Sequence, residues 1–471
     1  MAGISGSTSA YFCIVARLVR LEYRDMRIAL AACTITVLLC MAVRTDGQGK
    51  QESPAQALFN LLRENVRADL QRAPRYTCVQ TITRTQYLPQ YGGKPSACAA
   101  IIAARGTLTN TGTLLWHDRL RLDVAVGENS EMFSWAGARQ FESNSLDDLT
   151  LSGSTGSGDF SGFLGSVFGP DAEGFRYNGE QETSLGRLAA YSFVVPFAKS
   201  HYSYRTNNGI SRIVPYHGSF YAAPATAQLK RLVVEATEFP SQDICRVTDT
   251  MDYSRLKIGS GEFLLPQVSK MVVLYRSGEE TLNETKYSGC HEFTGQSTLR
   301  FDDPEEPNSA ANEAKAALRA LPAKTHIRVK VDPPVNSDVA AAGDPITGVV
   351  EREVKEKGAV VVRTTDKLHG RVLRLEQTMV PEPRWTVAIR FDSIERDGVE
   401  QPIVLKPVDD GDRSPQALRM VGRRMQTPTP RATPSRPPGA GLFILGDAGR
   451  LVLDGRFHTE WEVLPAAGTS R

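Results

Sequence analysis

Apolar and polar positions alternate along most of this chain, and the main departure comes near the start. Residues 55–71 (AQALFNLLRENVRADLQ) place Leu58, Leu61, Leu62, Val66 and Leu70 at helical spacing, which predicts an amphipathic helix stopped by Pro74. Beyond it the period is two. Leu120, Leu122, Val124 and Val126 alternate with Arg121, Asp123 and Ala125, the signature of a half-buried strand. Similar short runs fall at 175–181, 191–204, 213–221, 229–236, 244–253, 263–275, 285–293 and 298–301, many separated by Gly, Asn, Asp or Pro. Strands at this spacing predict an antiparallel sheet or barrel rather than a parallel α/β sheet. Within the series, residues 152–169 (SGSTGSGDFSGFLGSVFG) read as a Gly/Ser loop followed by a short helix that covers one mouth of the sheet.

Breaks in the pattern divide the chain. Residues 1–47 form a signal segment, and 51–302 are expected to fold as a helix plus a curved antiparallel sheet. Residues 303–313 are an acidic, Pro-broken linker without bulky apolar side chains. A small β-barrel domain is expected over 314–409, a Pro/Arg-rich disordered linker over 410–440, and a terminal hairpin over 441–464 that joins a sheet. The expected fold is therefore mainly β: an N-terminal helix with a curved antiparallel sheet, followed by a small β-barrel domain.

Charge and cysteine usage bear on compartment. Residues 28–43 (IALAACTITVLLCMAV) form an uncharged run behind Arg24 and Arg27, the pattern of an export signal, with cleavage expected after Gly47. Sixteen residues fall short of the roughly 20 needed to span a bilayer as a helix. A retained inner-membrane anchor through 28–43 is the alternative, and it would be the only membrane contact. Met26 is a second possible start. Without residues 1–47 the chain holds 50 basic and 50 acidic residues, so nothing global supplies the clustered positive charge that nucleic acid demands. Cys78, Cys98, Cys245 and Cys290 remain beyond the leader, an even number that reads as two disulfides in an oxidising compartment. Three pairings are possible; nearest neighbours in sequence give Cys78–Cys98 and Cys245–Cys290.

Catalytic signatures are sparse. His291-Glu292 begins like a zinc-protease helix, but Gly295 stands where the second histidine belongs. His117, His201, His217, His326, His369 and His458 are scattered without ligand spacing, so neither a metal nor another cofactor is expected. Adjacent strand residues point to opposite faces, so Cys290 and His291 cannot easily share a proton. The chain has no G-x-S-x-G elbow, phosphate loop or C-x-x-C. Asp147-Asp148, Asp302-Asp303 and Asp249/Asp252 are expected in turns or linkers, where solvated acids are ordinary. The aromatic set Trp116, Phe133, Trp135, Phe160, Phe163 and Phe168 is the candidate ligand site. On a curved sheet these rings would either line one apolar cavity or fill the core. The reading is thus a periplasmic or secreted protein without catalytic residues, binding or scaffolding an apolar or polymeric ligand or envelope components. The alternatives are a hydrolase using carboxylates of the first domain and a purely structural module.

Two resemblances add to this. RYTCVQTITRTQY, WHDRLRLDVAV, EMFSWAGARQFE, FVVPFAKSHYSY and HGSFYAAPATAQLKRL, within residues 62–301, resemble a family of uncharacterised exported proteins of acidobacterial type. The order of a helix and then a bent sheet, with Ser219-Phe220-Tyr221 before Ala223-Pro224-Ala225-Thr226, is similar to lipoprotein-carrier-like periplasmic proteins; this implies a half barrel. LPAKTHIRVKVDPPVNSDVAAAGDPITGVV, KLHGRV and WTVAIRFDSIERDGVEQPI, within 321–408, resemble the periplasmic β-barrel domain of conjugation and type IV secretion scaffold proteins, which implies a small exported barrel.

Overall fold

The structure, a computed structural model, describes residues 52–293, 321–412 and 439–465, less the short stretches 90–96, 107–111, 128–129, 139–140, 142, 144–145, 151–152, 206–209, 241–242, 409–410 and 447–448. The leader, the expected strand at 298–301 and most of both linkers lie outside the described residues. The described residues from Leu58 onward form one compact unit.

Helix α1 spans Pro54–Arg72. Ser53 caps it, its Oγ accepting from the Gln56 backbone N–H at 3.2 Å, and Pro54 occupies a first-turn position where its missing N–H costs nothing. Its buried stripe is Phe59, Leu62, Val66 and Asp69, with Leu58 and Leu70 partly covered. Leu61, expected inward, is 50% exposed: it sits a third of a turn from Leu62, and the stripe runs through Phe59 instead.

An antiparallel sheet follows, with a two-stranded ribbon inserted. The strands in chain order are β1 (Tyr76–Leu88), β2 (Thr113–Val126), β3 (Glu131–Trp135), β4 (Glu173–Thr183), β5 (Gly186–Val195), β6 (Ser203–Arg205), β7 (Ser211–Ile213), β8 (Tyr216–Ala223), β9 (Gln228–Ala236), β10 (Ile244–Ile258), β11 (Gly261–Tyr275) and β12 (Glu280–Glu292). Neighbour relations run β3–β2–β1–β12–β11–β10–β9–β8–β5–β4, with β6 and β7 paired apart as a small ribbon. Within residues 76–292 the sheet is open, with β3 and β4 at its ends. The alternation foreseen in β2 is observed, with Trp116, Asp118, Leu120, Leu122, Val124 and Val126 all buried. The expected run 191–204 is broken by a short 3-10 turn at Phe197–Lys199, where Pro196 removes a ladder donor. Three short helices lie on or beside the sheet: α2 (Cys98–Gly106), α3 (Leu146–Leu149) and α4 (Gly162–Val167).

The disulfides overturn the nearest-neighbour pairing. Cys78 joins Cys290, and Cys98 joins Cys245. The sheet order explains both. β1 lies beside β12, with Thr77 opposite His291 and a bulge at Cys78, which brings the Cys78 and Cys290 Cα atoms to 4.1 Å. Helix α2 packs on β10, so Cys98 meets Cys245 in a small cluster with Ile101 and Leu274. The sequence separations of 212 and 147 residues are far longer than those of the nearest-neighbour alternative, and each closure stabilises by about 5 kcal/mol in the chain-entropy model.

Residues 321–465 build a second β structure around its own core of Ile327, Val329, Leu368, Val387, Phe391, Phe443, Trp461 and their neighbours. The His326–Val331 strand pairs with Pro345–Val350, which pairs with Lys367–Thr378, and that with Arg384–Arg396. Residues 399–407 then pair first with Arg384–Arg396 and afterwards with His458–Val463, which returns to His326–Val331. The expected terminal hairpin is replaced by separate pairings. Gly441–Leu445 joins Arg384–Arg396, while Val452–Leu453 joins Val335–Asn336. The two β structures share ladder and core: Glu376, Gln377 and Thr378 pair with Asp118, His117 and Trp116 of β2, and Ala342, Leu373, Ala388 and Leu442 pack with Leu120, Leu122, Phe133 and Trp135.

Candidate functional site

One face of the first sheet is covered by α1, α4 and the loop between Gly153 and Phe160, and its two halves have opposite character. Over β5, β8 and β9 it is aromatic. Phe59 of α1 meets Phe175 at 4.6 Å, Tyr191 at 5.9 Å and Phe220 at 5.9 Å between ring centroids. Phe220 in turn touches Tyr191 at 5.0 Å, Phe168 at 5.1 Å and Phe193 at 6.2 Å. The layer continues through Tyr216 to Tyr202 and Phe163. Leu62, Val66, Leu164, Val167, Leu229 and Leu232 fill the spaces, all at 1% exposure or less. Polar clamps hold the helix down: Arg63 and Arg67 donate to the Phe168 carbonyl at 3.0 and 2.7 Å, and Arg255 donates to the Asp69 carboxylate at 2.7 Å.

Over β10, β11, β12, β1 and β2 the same face is polar. Cross-strand register aligns Asp249, Met271, Asn283, Arg84 and Asp118 in one buried row. Arg84 and Asp118 form a doubly hydrogen-bonded ion pair there, with the guanidinium over the Trp116 ring, whose centroid is 5.6 Å away. The next row holds Met251, Ser269, Thr285, Ile82 and Leu120.

The Gly153–Phe160 segment lies on these rows as a strap. Asn283 donates to the Ser154 carbonyl at 2.8 Å, Ser154 and Tyr275 share a hydroxyl contact, and the Tyr253 hydroxyl donates to the Asp159 carbonyl at 2.7 Å. Tyr287 donates to the Asp159 carboxyl, and the Gly158 N–H donates to Glu131 at 3.0 Å. Glycine is required for the approach. A Cβ on Gly153, at φ +82°, would stand 2.9 Å from the Trp116 ring and 3.0 Å from Arg84, and one on Gly156 would meet the Met271 sulfur at 2.9 Å.

Glu131 and Asp159 lie at this strap and Asp249 on the row beneath, and among the described residues none of the three has an ion-pair partner. Burial, reinforced by Asp159, pushes Glu131 up to about 7 and Asp249 up to about 8; burial raises Asp159 as well. Tyr202 donates to Asp249 at 3.2 Å, and burial keeps the hydroxyls of Tyr202, Tyr253 and Tyr287 protonated well above the usual phenol range. The second oxygen of Glu131, the Asn283 side-chain oxygen and the Gln80 side-chain oxygen are buried without a hydrogen-bond partner. Among the described residues no group of three or more His, Cys, Asp or Glu is placed to hold a metal ion.

The six aromatic residues singled out by sequence are all buried but do not meet as one set. Phe163 and Phe168 belong to the layer under α1. Phe133, Trp135 and Phe160 lie in the core shared with the second β structure, Phe160 against Tyr76 and Tyr287. Trp116 stands at the polar row beside Arg84 and donates to Gln86. Of the acidic pairs, Asp249 faces inward while Asp252 binds Arg231 at 2.6 Å, as their odd separation on one strand requires. Asp302-Asp303 lie outside the described residues. The histidines are dispersed: His217 beside Glu235, His326 beside Glu460, His369 beside Glu395 and His458 beside Glu351. Burial lowers His117. A groove of about 450 Å³ opens elsewhere, between Arg121 and the Pro333–Thr347 stretch of the second β structure.

Sequence reasoning missed Glu131, Asp159 and Asn283. Tyr253 and Tyr287 were legible as inward strand positions; an acid at a strand edge and one in a Gly/Ser loop carry no signal of burial.

Comparison with protein-family profiles and with curated proteins finds no match. Among solved structures, the chain is similar to a LolA superfamily protein from Nitrosomonas europaea (13% identity, covering 53% of this chain and 98% of that one, TM-score 0.23). It is similar to a domain assigned to outer membrane lipoprotein sorting from Vibrio parahaemolyticus (10% identity, 52% and 95% covered, TM-score 0.25). It is also similar to a DUF1329 family protein from Desulfovibrio piger (12% identity, 55% and 99% covered, TM-score 0.23).

Proposed function

We propose that this chain is an exported, non-catalytic envelope protein that binds an apolar chain on the covered face of its first sheet. The observation that carries the reading is the aromatic layer from Phe59 to Tyr202, capped by one amphipathic helix rather than by a second sheet. An apolar ligand needs such a surface, and a helix held by a few polar clamps can be displaced more easily than a paired strand. Two disulfides suit a periplasmic or secreted protein, as does the apolar leader. Phe163 and Phe168 are the members of the sequence-selected set that would touch the ligand.

The tight packing of the same rings also fits a structural module that binds nothing. Mass spectrometry of compounds extracted from the protein recovered in the cell envelope fraction separates the two. Binding predicts an apolar compound near one per chain on a polypeptide lacking residues 1–47. Repeated recovery without any apolar compound favours the structural module.

A further inference from the structure

We propose that the corner where β5 turns through Phe197–Lys199 into the β6–β7 ribbon docks on an anionic lipid surface. The inference rests on the reading of the covered face as a site for an apolar chain, and it names the surface with which that site exchanges its ligand. It adds a membrane contact to the one expected from a retained leader at 28–43.

The backbone carries the corner beyond the sheet. Val195 pairs with Tyr216 of β8, and past them the Val214 N–H donates to the Tyr202 carbonyl at 3.0 Å while Ser203 pairs with Ile213. The ribbon thus continues the β5–β8 ladder, with residues 196–201 bulged out opposite Pro215. The Ser200 hydroxyl fastens the bulge by donating to the Val214 carbonyl at 2.6 Å. β9 does not follow: its register with β8 ends at His217 opposite Glu235. Side chains then sort by the strand period. Tyr202, Val214 and Tyr216 turn into the aromatic layer, and Tyr204 meets Phe239 at 5.1 Å. Ile213 turns the other way and is 44% exposed, Val194 is 46% exposed, and Phe197 on the bulge is 64% exposed. Lone exposed apolar residues are ordinary, but three on one short corner are not scattered.

Charge argues for lipid phosphate as the partner. Residues 183–234 hold six Lys and Arg and no Asp or Glu, and Lys199, Arg205 and Arg212 of that run lie at the corner. Acids face it from neighbouring elements. Glu173 of β4 accepts from Lys199 at 2.7 Å, Asp171 stands 3.8 Å from His201, Glu235 of β9 lies 3.6 Å from His217, and Glu238 flanks Phe239. Residues 203–213, beyond the last pair of β9, carry two arginines and no acid. Exposed apolar side chains interleaved with bases suit the headgroup boundary of an anionic bilayer, where phosphate meets guanidinium and the apolar side chain enters the acyl edge. The corner also adjoins the end of the proposed site. Tyr202 meets Phe163 at 5.5 Å and Tyr216 at 5.7 Å, so docking here sets the end of the aromatic layer against lipid.

Vesicle flotation of the oxidised chain that begins at Gln48, the product of the expected cleavage, tests this without the leader. Its partition onto vesicles of phosphatidylglycerol mixed with phosphatidylcholine is expected to exceed that onto phosphatidylcholine alone about tenfold or more at low salt, and to fall as salt rises. Phe197→Ser with Ile213→Ser, and separately Arg205→Glu with Arg212→Glu, are each expected to lower the anionic partition about tenfold. Absence of partition, or equal partition onto both kinds of vesicle, by the unaltered chain overturns the proposal whether or not the variants fold. Undiminished partition in either folded variant overturns the assignment to this corner. Dimerisation of the unaltered chain that Phe197→Ser abolishes gives the patch to a second copy and overturns the proposal as well. Uptake of a soluble apolar probe is a separate readout: a chain that takes up the probe but ignores vesicles keeps the binding reading and loses this one.

Discussion

The two halves of the covered face are built on the same ladder yet held by different forces. Over β5, β8 and β9, rings and aliphatic side chains interlock, and the stabilisation scales with apolar area removed from water at roughly 25 cal/mol per Å². Over β10, β11, β12, β1 and β2, the inward rows mix Asp249, Asn283, Arg84, Asp118 and Ser269 with Met271, Met251, Ile82 and Leu120, and the cover is a glycine-rich strap held by hydrogen bonds. The first kind of contact is indifferent to pH and sensitive to lost volume. The second depends on hydrogen-bond geometry and on close approach, with no room for a Cβ at Gly153 or Gly156. One face therefore keeps an interlocked aromatic floor beside a hydrogen-bonded polar one.

The comparison can be broken most forcefully at Phe220, which touches Phe59, Phe168, Tyr191 and Phe193. Phe220→Ala is expected to cost about 4 kcal/mol in urea unfolding, with little dependence on pH. A loss below 1 kcal/mol would mean that the layer is loosely packed and the distinction false. A smaller effect is expected at Gly153, whose positive φ and closeness to Trp116 leave no room for a side chain. Gly153→Ala should cost about 1–2 kcal/mol, and limited proteolysis should show the loss confined to the strap while α1 stays protected.

Much of this was legible in the residues themselves. The alternation in β2, the helix from Pro54 to Arg72 and the position of α4 follow from apolar spacing, because burial on one face imposes a period. Disulfide partners were not legible. Pairing Cys78 with Cys290 requires knowing that β1 and β12 are neighbours, a long-range fact that local pattern does not encode. That the six rings do not meet as one set was not legible for the same reason. Phe163 and Phe168 lie on one short element and face one core, whereas Trp116, Phe133 and Trp135 sit on β2 and β3, in or beside the junction with the second β structure. Glu131 and Asp159 escaped notice because a carboxyl looks solvated until a fold closes over it. Asp249 was visible as half of an acidic pair, but its burial depended on which face of β10 turns inward.

The most direct test of the central claim is titration of the purified, oxidised protein with a fluorescent fatty-acyl probe. The account predicts saturable binding near one probe per chain, quenching of aromatic emission and competition by unlabelled fatty acid. A correctly folded protein that shows no saturable uptake of the probe would contradict it.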